Sequence, residues 1–297
     1  MMVMIAPMEV TPAHMLGSNV PETDAPLWTA SGTVSAGQRR VHQTAVWEAV
    51  TTNSGSEPRE GSKDWARFGA TNRWRAFDQQ LQNSSAQAER LSWRVAVTRP
   101  VDTVALMKPQ GATARVTMRD GAGRIVARQE RTIAGTQEIK TLHDFFFGER
   151  EVQAEIVFDG LPVTRVGEIE VEIFSPGRTA SVAQVVIGRR EVLGRAGTGL
   201  EIGFEDYSRI ETDAFGNRRI VRRAAARLAD YRIGIARGNE ERVLRLLERQ
   251  RARPALYAAL DPDGRAVGGL IYGLAKPIRI TAGVGMSTAT LSIEGLV

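Results

Sequence analysis

The chain has 297 residues, of which 42% are hydrophobic and 25% charged, with a formal net charge of +5. The length favours two or three domains, and the composition is typical of a folded, soluble protein. The lack of cysteine excludes disulfides and thiolate metal sites, and no segment reaches the roughly 18 consecutive apolar residues of a membrane span, so we expect no membrane insertion.

Residues 1–24 show little periodicity and carry several chain-breaking residues, namely Pro7, Pro12, Gly17 and Pro21. Such a composition predicts an extended N-terminal arm. Two roles stay open for it: it wraps a neighbouring subunit, or it is a disordered end.

Residues 25–75 form the next predicted unit, a small module rich in tryptophan. Four Trp residues are separated by gaps rich in Gly, Pro and Ser, namely Trp28, Trp47, Trp65 and Trp74. A unit of this size buries little apolar surface, so we expect its Trp residues to supply most of its core.

The spacing in this module resembles that of the small chitin- and cellulose-binding modules of glycoside hydrolases. The matching residues are Trp28, Gly37, Val41, Trp47, Ala49, Gly55, Pro58 and Trp65. The resemblance implies that Trp28, Trp47 and Trp65 bind glycans by ring stacking. Two departures weaken it: Ser31 to Val34 stand where that family has a tyrosine, and the GQRRV segment is one residue too long. Core packing is therefore the favoured role for each Trp.

The segment WARFGATNRWRAFD, from Trp65 to Asp78, marks the change to a second pattern of longer alternating runs. Between residues 76 and 193 these runs, with Gly and Pro turns, predict a β-sandwich. DGAG at 120–123 predicts a hairpin turn. In EIEVEI, alternation places Glu168, Glu170 and Glu172 on one strand face, which we interpret as the hydrated side of a sheet.

Residues 194–297 predict an α+β domain that ends a mainly β, multi-domain chain. Strands alternate with the turns AFGN at 214–217 and DPDG at 261–264, and a helix is predicted from Glu240 to Arg253. Asn239 is its expected cap and Pro254 its expected stop.

This last part also holds most of the positive charge, with twelve Arg and four acidic residues between Arg218 and Arg253. A solvated or ion-paired face is the favoured interpretation. Nucleic-acid binding is a further alternative, but aromatic residues for stacking are sparse there, so we expect no nucleic-acid partner.

No pattern in the sequence predicts catalysis, a cofactor or a metal centre. The three His residues lie in three different predicted units, and there is no nucleophile elbow or phosphate-binding loop. We therefore expect a non-enzymatic protein. The polar residues around Tyr207 predict either a buried network or a subunit contact, and the candidate interface residues are Asp206, Tyr207, Arg209, Asp213, Arg218, Arg219, Arg222 and Arg223.

Four motifs resemble a family of tail-tip or baseplate proteins of long-tailed bacteriophages. They are TNRWRAFD at 71–78, FDGLP at 158–162, IGRREVLG at 187–194 and DYSRIETDAFGN at 206–217. The resemblance implies a structural virion protein that assembles as a trimer or hexamer around the tail axis, contacts other tail proteins, and can face host surface polysaccharide. The alternative is a secreted carbohydrate-binding protein or an accessory module of a glycoside hydrolase. Under the first interpretation, deleting residues 1–69 should leave the oligomer intact.

Overall fold

The computed structural model describes residues 1–133, 155–164, 166–197, 199–212, 218–262 and 264–296. They form two compact units, and the prediction of a mainly β chain is confirmed. One unit, called here the sandwich unit, comprises residues 9–100 and 104–185. The other, called the barrel unit, comprises residues 1–8, 101–103 and 186–297. The chain therefore passes between the units more than once, whereas the sequence analysis predicted four domains that follow one another along the chain.

The main sheet of the sandwich unit has five antiparallel strands. Its strands are β2 (Met15–Ser18), β8 (Ser85–Val97), β10 (Thr113–Asp120), β11 (Ile125–Thr132) and β13 (Gly167–Val182), in the order β11-β10-β13-β8-β2. Outside that sheet, β9 (Thr103–Met107) pairs antiparallel with β12 (Glu155–Phe158). The DGAG turn connects β10 to β11 as predicted, with the Asp120 carboxylate accepting hydrogen bonds from the Ala122 and Arg124 amides. This carboxylate fixes the turn because it satisfies amides that the sheet leaves unpaired.

The glutamates of β13 have a role that alternation did not reveal. Each of them pairs with Arg side chains on β8 or β10. The contacts join Glu168 to Arg94 (3.5 Å) and Arg119 (3.0 Å), Glu170 to Arg119 (3.4 Å), and Glu172 to Arg90 (2.5 Å) and Arg115 (3.8 Å). The opposite face of β13 is buried apolar core. The face predicted to be merely hydrated is thus an ion-pair ladder across three strands.

The TNRWRAFD segment is held firmly against β8. It contains a 3₁₀ turn at Arg75–Phe77. The Asn72 side chain exchanges two hydrogen bonds with the backbone of Ala86, both 2.8 Å long, and the Trp93 indole donates to the Arg73 carbonyl at 3.0 Å. These bonds fix the segment to the sheet, so it serves packing within the sandwich unit.

The small Trp-rich module lies within the sandwich unit. Its strands are β3 (Thr33–Val34), β4 (Arg39–His42), β5 (Ala45–Ala49), β6 (Asn53–Ser54) and β7 (Trp65–Ala70), in the sheets β4-β5-β7 and β3-β6. Its buried cluster consists of Val34, Ala45, Trp47, Ala49 and Trp65, with Trp28 packed against it. The predicted tryptophan core is present.

The barrel unit is built on a sheet that closes on itself. Its strands are β1 (Met2–Pro7), β14 (Gln184–Ala196), β15 (Glu201–Asp206), β16 (Arg209–Thr212), β17 (Arg218–Val221), β18 (Ala225–Ala236), β19 (Ala255–Leu260), β20 (Ala266–Ala275), β21 (Ile280–Thr281) and β22 (Met286–Gly295). Six of them follow the order β14-β1-β19-β20-β22-β18, and a pairing of β18 with β14 closes the ring. Closure removes the open edges that a flat sheet would leave.

The core of this unit lies inside the barrel, where every second residue of each strand points inward. It includes Met4, Tyr231, Tyr257, Leu291 and Ile293, each at most 2% exposed. The helix α1 (Glu240–Arg249) adds Val243 to the same core. The helix ends four residues before the predicted Arg253. Asn239, the N-cap residue that precedes the helix, makes no hydrogen bond to the helix through its side chain.

The predicted extended arm at residues 1–24 is corrected by the structure. Residues Met2–Pro7 form β1, which pairs with β14 on one side and with β19 on the other. Met2 to Ile5 are at most 3% exposed. Further along, β2 and the side chain of Asn19 bond to β8. A deletion of residues 1–69 would remove a strand from the closed barrel, so we no longer expect the remainder to assemble normally.

Candidate functional site

The most exposed part of the barrel unit is a two-stranded extension, which we call the β-arm: residues 201–212 and 218–224. Residues of β15 pair with β18 from Glu201↔Asp230 to Asp206↔Ala225, and further out β16 pairs with β17. All residues of β15 and β16 are exposed. The β16–β17 pair is a separate two-stranded sheet among the described residues. Two strands alone are only marginally stable in water.

Large apolar side chains lie on the surface of the β-arm. Ile210 stands opposite Ile220 in the β16–β17 register, and each is 63% exposed. On β15, Phe204 is 72% exposed and Ile202 is 50% exposed. Cross-strand pairs of β-branched residues stabilise a ribbon, but at this exposure they also leave apolar area in water. Contiguous exposed apolar patches are typical of surfaces that interact with other molecules.

The charges of the β-arm are separated between its two strands. The returning strand carries Arg218, Arg219, Arg222 and Arg223, all exposed, and none of these guanidinium groups has an ion-pair partner in the described part of the chain. The outgoing strand β15 carries Glu201, Glu205 and Asp206. Among the described residues, two ion pairs involve the β-arm: Arg209 with Glu211 at 3.2 Å, and Glu201 with Arg232 of β18 at 3.6 Å.

Asp206 and Tyr207 lie at the junction of β15 and β16 within the β-arm. The Asp206 carboxylate accepts a 2.8 Å hydrogen bond from the Ser208 amide, and bonding from the hydroxyl and amide of Ser208 lowers the pKa of Asp206. The Tyr207 hydroxyl donates to Glu294 of β22 at 3.3 Å. Partial burial, with the nearby Glu205 and Glu294 carboxylates, raises the pKa of Tyr207.

Of the two roles left open for these residues, a buried network is excluded for Asp206, Tyr207 and Arg209, since all three are exposed. The remaining predicted interface residues all lie on the β-arm except Asp213. Asp213 and the predicted AFGN turn at 214–217 lie outside the described residues. The structure thus places Asp206, Tyr207, Arg209 and the four arginines of residues 218–223 together on the β-arm.

The predicted glycan-binding residues lie in the small module and have different environments. Trp47 is 6% exposed and Trp65 is 2% exposed, so neither has a free ring face for a sugar. The Trp65 indole donates to the Ser56 carbonyl at 3.0 Å. Trp28 is only half-buried, and its indole donates to the same carbonyl at 3.1 Å. Sugar stacking needs an accessible aromatic face, which leaves Trp28 as the candidate.

One imidazole lies against Trp28, and a carboxylate lies next to that imidazole. His42 meets the Trp28 ring edge-on with 5.1 Å between ring centroids, and the His42 Nε2 lies 3.2 Å from the Glu57 carboxylate, whose side chain is 60% exposed. An aromatic face beside a carboxylate and an imidazole offers both stacking and hydrogen bonds to hydroxyl groups.

A cleft of about 640 Å³ opens at one end of the barrel. Its lining includes the buried Tyr231, the apolar Leu200 and Val267, and the side chains of Arg195 and Arg232. Burial raises the pKa of Tyr231 to about 12, so this tyrosine is neutral at physiological pH. None of the predicted site residues lines the cleft.

The described residues contain no group of three or more His, Cys, Asp or Glu side chains placed to hold a metal ion. They also contain no helix long and apolar enough to cross a membrane. The sequence did not mark the exposed apolar residues of this candidate site, which are Ile202, Phe204, Ile210 and Ile220. Alternation did signal that they share strand faces, but it could not show that those faces are uncovered.

Comparisons with known proteins give structural likenesses of low similarity. No protein family matches the chain, and no curated protein matches it. The lectin domain of lectinolysin in complex with Lewis b antigen has a TM-score of 0.28 and 18% identity over 39% of this chain and 83% of that domain. A histidine mutant of the same lectin domain, also in complex with Lewis b, has a TM-score of 0.29 and 18% identity, covering 55% and 99%. The F5/8 type C domain of a Bacteroides fragilis protein has a TM-score of 0.28 and 12% identity, covering 40% and 82%.

Proposed function

We propose that this protein is a structural component that associates with copies of itself through the β-arm, in the tail tip or baseplate of a bacteriophage. The observation that carries the proposal is the exposed Ile210–Ile220 pair on a ribbon that also bears four unpaired arginines in the described part of the chain. A trimer or hexamer around the tail axis is the expected state.

Two physical arguments support self-association. The free energy of the β-arm falls when its apolar side chains leave water, which the isolated chain does not achieve. Arginine is also well suited to subunit contacts because its planar guanidinium forms bidentate bonds with carboxylates and carbonyls. A contact that covers the β-arm removes its apolar side chains from water and also gives its arginines bonding partners.

The tail assignment rests on the sequence motifs. DYSRIETDAFGN, the most specific of them, begins at the last residue of β15 and includes all of β16. The segment that resembles the tail family therefore overlaps the segment with the exposed surface. A location in the virion and contacts with other tail proteins follow from this assignment.

The first test is the mass of the purified protein by light scattering. We expect a defined oligomer, whereas a monomer of 32.5 kDa at all concentrations would contradict self-association. The tail assignment is tested separately by electron microscopy of phage particles from the producing strain, labelled with antibody against the purified chain. Label at the tail end is expected, and intact particles without label would refute the assignment.

Glycan binding is the second candidate function, as in a secreted carbohydrate-binding protein or an accessory module of a glycoside hydrolase, or as host-surface attachment by the tail. The half-buried Trp28 beside His42 and Glu57 favours it. Purified protein should be retained by insoluble polysaccharide, and Trp28→Ala should abolish retention. Because Trp28 also packs against the module's buried cluster, circular dichroism of the variant must show the wild-type strand signal. Leu27→Ala, at a neighbouring residue that is 70% exposed, is the matched control. Retention that survives Trp28→Ala would contradict this site.

A further inference from the structure

The β-arm has two unpaired strand edges in the described part of the chain. β15 ends its sheet, since β18 is its neighbour on one side only. β17 pairs with β16 alone. An exposed edge offers a row of backbone donors and acceptors that another strand can use.

The two edges have complementary sequences. Residues 201–206 read EIGFED and residues 218–223 read RRIVRR. In one antiparallel alignment, Phe204 faces Ile220, which places two exposed apolar residues in contact. The same alignment places Glu205 opposite Arg219, Asp206 opposite Arg218, and Glu201 opposite Arg223. Every acidic residue of β15 then meets an arginine of the other edge, and directly opposed pairs of opposite charge stabilise a sheet.

This pairing does not form within one chain. Phe204 pairs with Arg227, and Ile220 pairs with Ile210. Residue 204 precedes residue 210 by six positions on the outgoing strand, which is about 20 Å at the rise of a β-strand. The partner of each edge must therefore belong to a different molecule.

We propose, on the basis of the assembly function above, that the β15 edge of one copy pairs antiparallel with the 218–223 edge of the next copy, with Phe204 opposite Ile220. The contact joins two different surfaces, so it is head-to-tail. Such a contact repeats around an axis and closes into a ring when its rotation permits. The partner of the β-arm is thus a second copy of this chain, recognised by both backbone pairing and alternating charge.

Disulfide trapping tests the alignment directly, because the chain contains no cysteine. A Phe204→Cys chain is mixed with an Ile220→Cys chain under mild oxidation. We expect a disulfide-linked dimer that contains one chain of each kind. The control mixes Ile202→Cys with Ile220→Cys, two positions out of alignment, where the distance between Cα atoms exceeds the range of roughly 4.4–6.8 Å in which a disulfide forms. We expect at least about tenfold less dimer there.

Charge reversal tests the pairing of the side chains. Glu205→Arg and Arg219→Glu should each weaken association by about tenfold or more, since each places like charges opposite one another. The double variant Glu205→Arg/Arg219→Glu should restore it. The matched control, Glu205→Arg/Arg222→Glu, should not restore association, because Arg222 faces Ile202 in this alignment.

The outcomes separate this inference from the assembly function. An oligomer in which the 204–220 mixture gives no more dimer than the control, and the double reversal gives no rescue, overturns the alignment and leaves self-association standing. A wild-type chain that stays monomeric, together with Phe204→Cys and Ile220→Cys chains that form no mixed disulfide, overturns both.

Discussion

Replacing both exposed isoleucines of the β-arm should weaken self-association with little effect on folding. Ile210→Thr/Ile220→Thr keeps two β-branched residues, so the strand preference is retained. Each change removes about two methyl or methylene groups, and the burial of each such group contributes about 0.8 kcal/mol of free energy. Because each Ile is 63% exposed in the single chain, about 1 kcal/mol per residue remains to be gained at an interface.

The pair therefore contributes about 2 kcal/mol to each contact, which corresponds to an association constant lowered by about 30-fold. Sedimentation velocity over a series of protein concentrations measures this constant. Circular dichroism of the same samples should show an unchanged strand signal, and the midpoint of thermal unfolding should move little, because neither side chain belongs to the buried core.

The control is Ile125→Thr/Val126→Thr on β11, two neighbouring residues that are 48% and 42% exposed and lie in the sandwich unit. Its association constant should equal that of the wild type. Equal constants for the β-arm variant and the control would refute the reasoning, as would a β-arm variant that loses its strand signal.

Three further variants test the barrel core, the core of the small module and the titration of Asp78. Met4→Ala should lower the free energy of unfolding by about 2–5 kcal/mol in urea denaturation, because Met4 is 1% exposed in the barrel core; a loss below about 1 kcal/mol would contradict its central position. Trp47→Ala should cost about 3–5 kcal/mol and make residues 25–75 sensitive to limited proteolysis; a folded variant that lost only sugar affinity would reverse the core assignment. Asp78→Asn should raise the midpoint of thermal unfolding at about pH 8 and leave it unchanged at about pH 4. Burial raises the pKa of Asp78 from 3.8 to about 6, so the folded chain binds the proton more tightly than the unfolded chain and loses stability as the pH rises through this range. An equal effect at both pH values would show that the carboxylate charge is not responsible.

Much of the local structure followed from the sequence. Strict alternation in EIEVEI predicted a strand within what became β13, and the turns DGAG and DPDG each connect two paired strands. The helix began at the predicted Glu240, because acidic residues favour a first turn. Its end was misplaced since Gln250, rather than Pro254, closes the last turn through bonds to Leu246 and Leu247.

The candidate site was predictable in part. The sequence marked the arginines from 218 to 223 and the polar residues around Tyr207, but not Phe204, Ile210 or Ile220. An apolar residue in an alternating run normally faces a core, and the sequence alone does not reveal that a particular face has no neighbour. Likewise, only their burial in the structure distinguishes the roles of the three candidate tryptophans: Trp28 is half-buried, and the other two lie in the core.

Three properties of this protein could be predicted from its sequence: the period of the strands, the position of the tight turns and the concentration of tryptophan in residues 25–75. These properties depend on neighbours a few residues apart. Two properties could not be predicted from the sequence: that Met2–Pro7 is a strand of the barrel, and that the outgoing and returning strands of the β-arm are exposed. Those outcomes depend on pairing between residues far apart in the chain, such as Met2 with Ala259, and alternation within a strand carries no information about its partner.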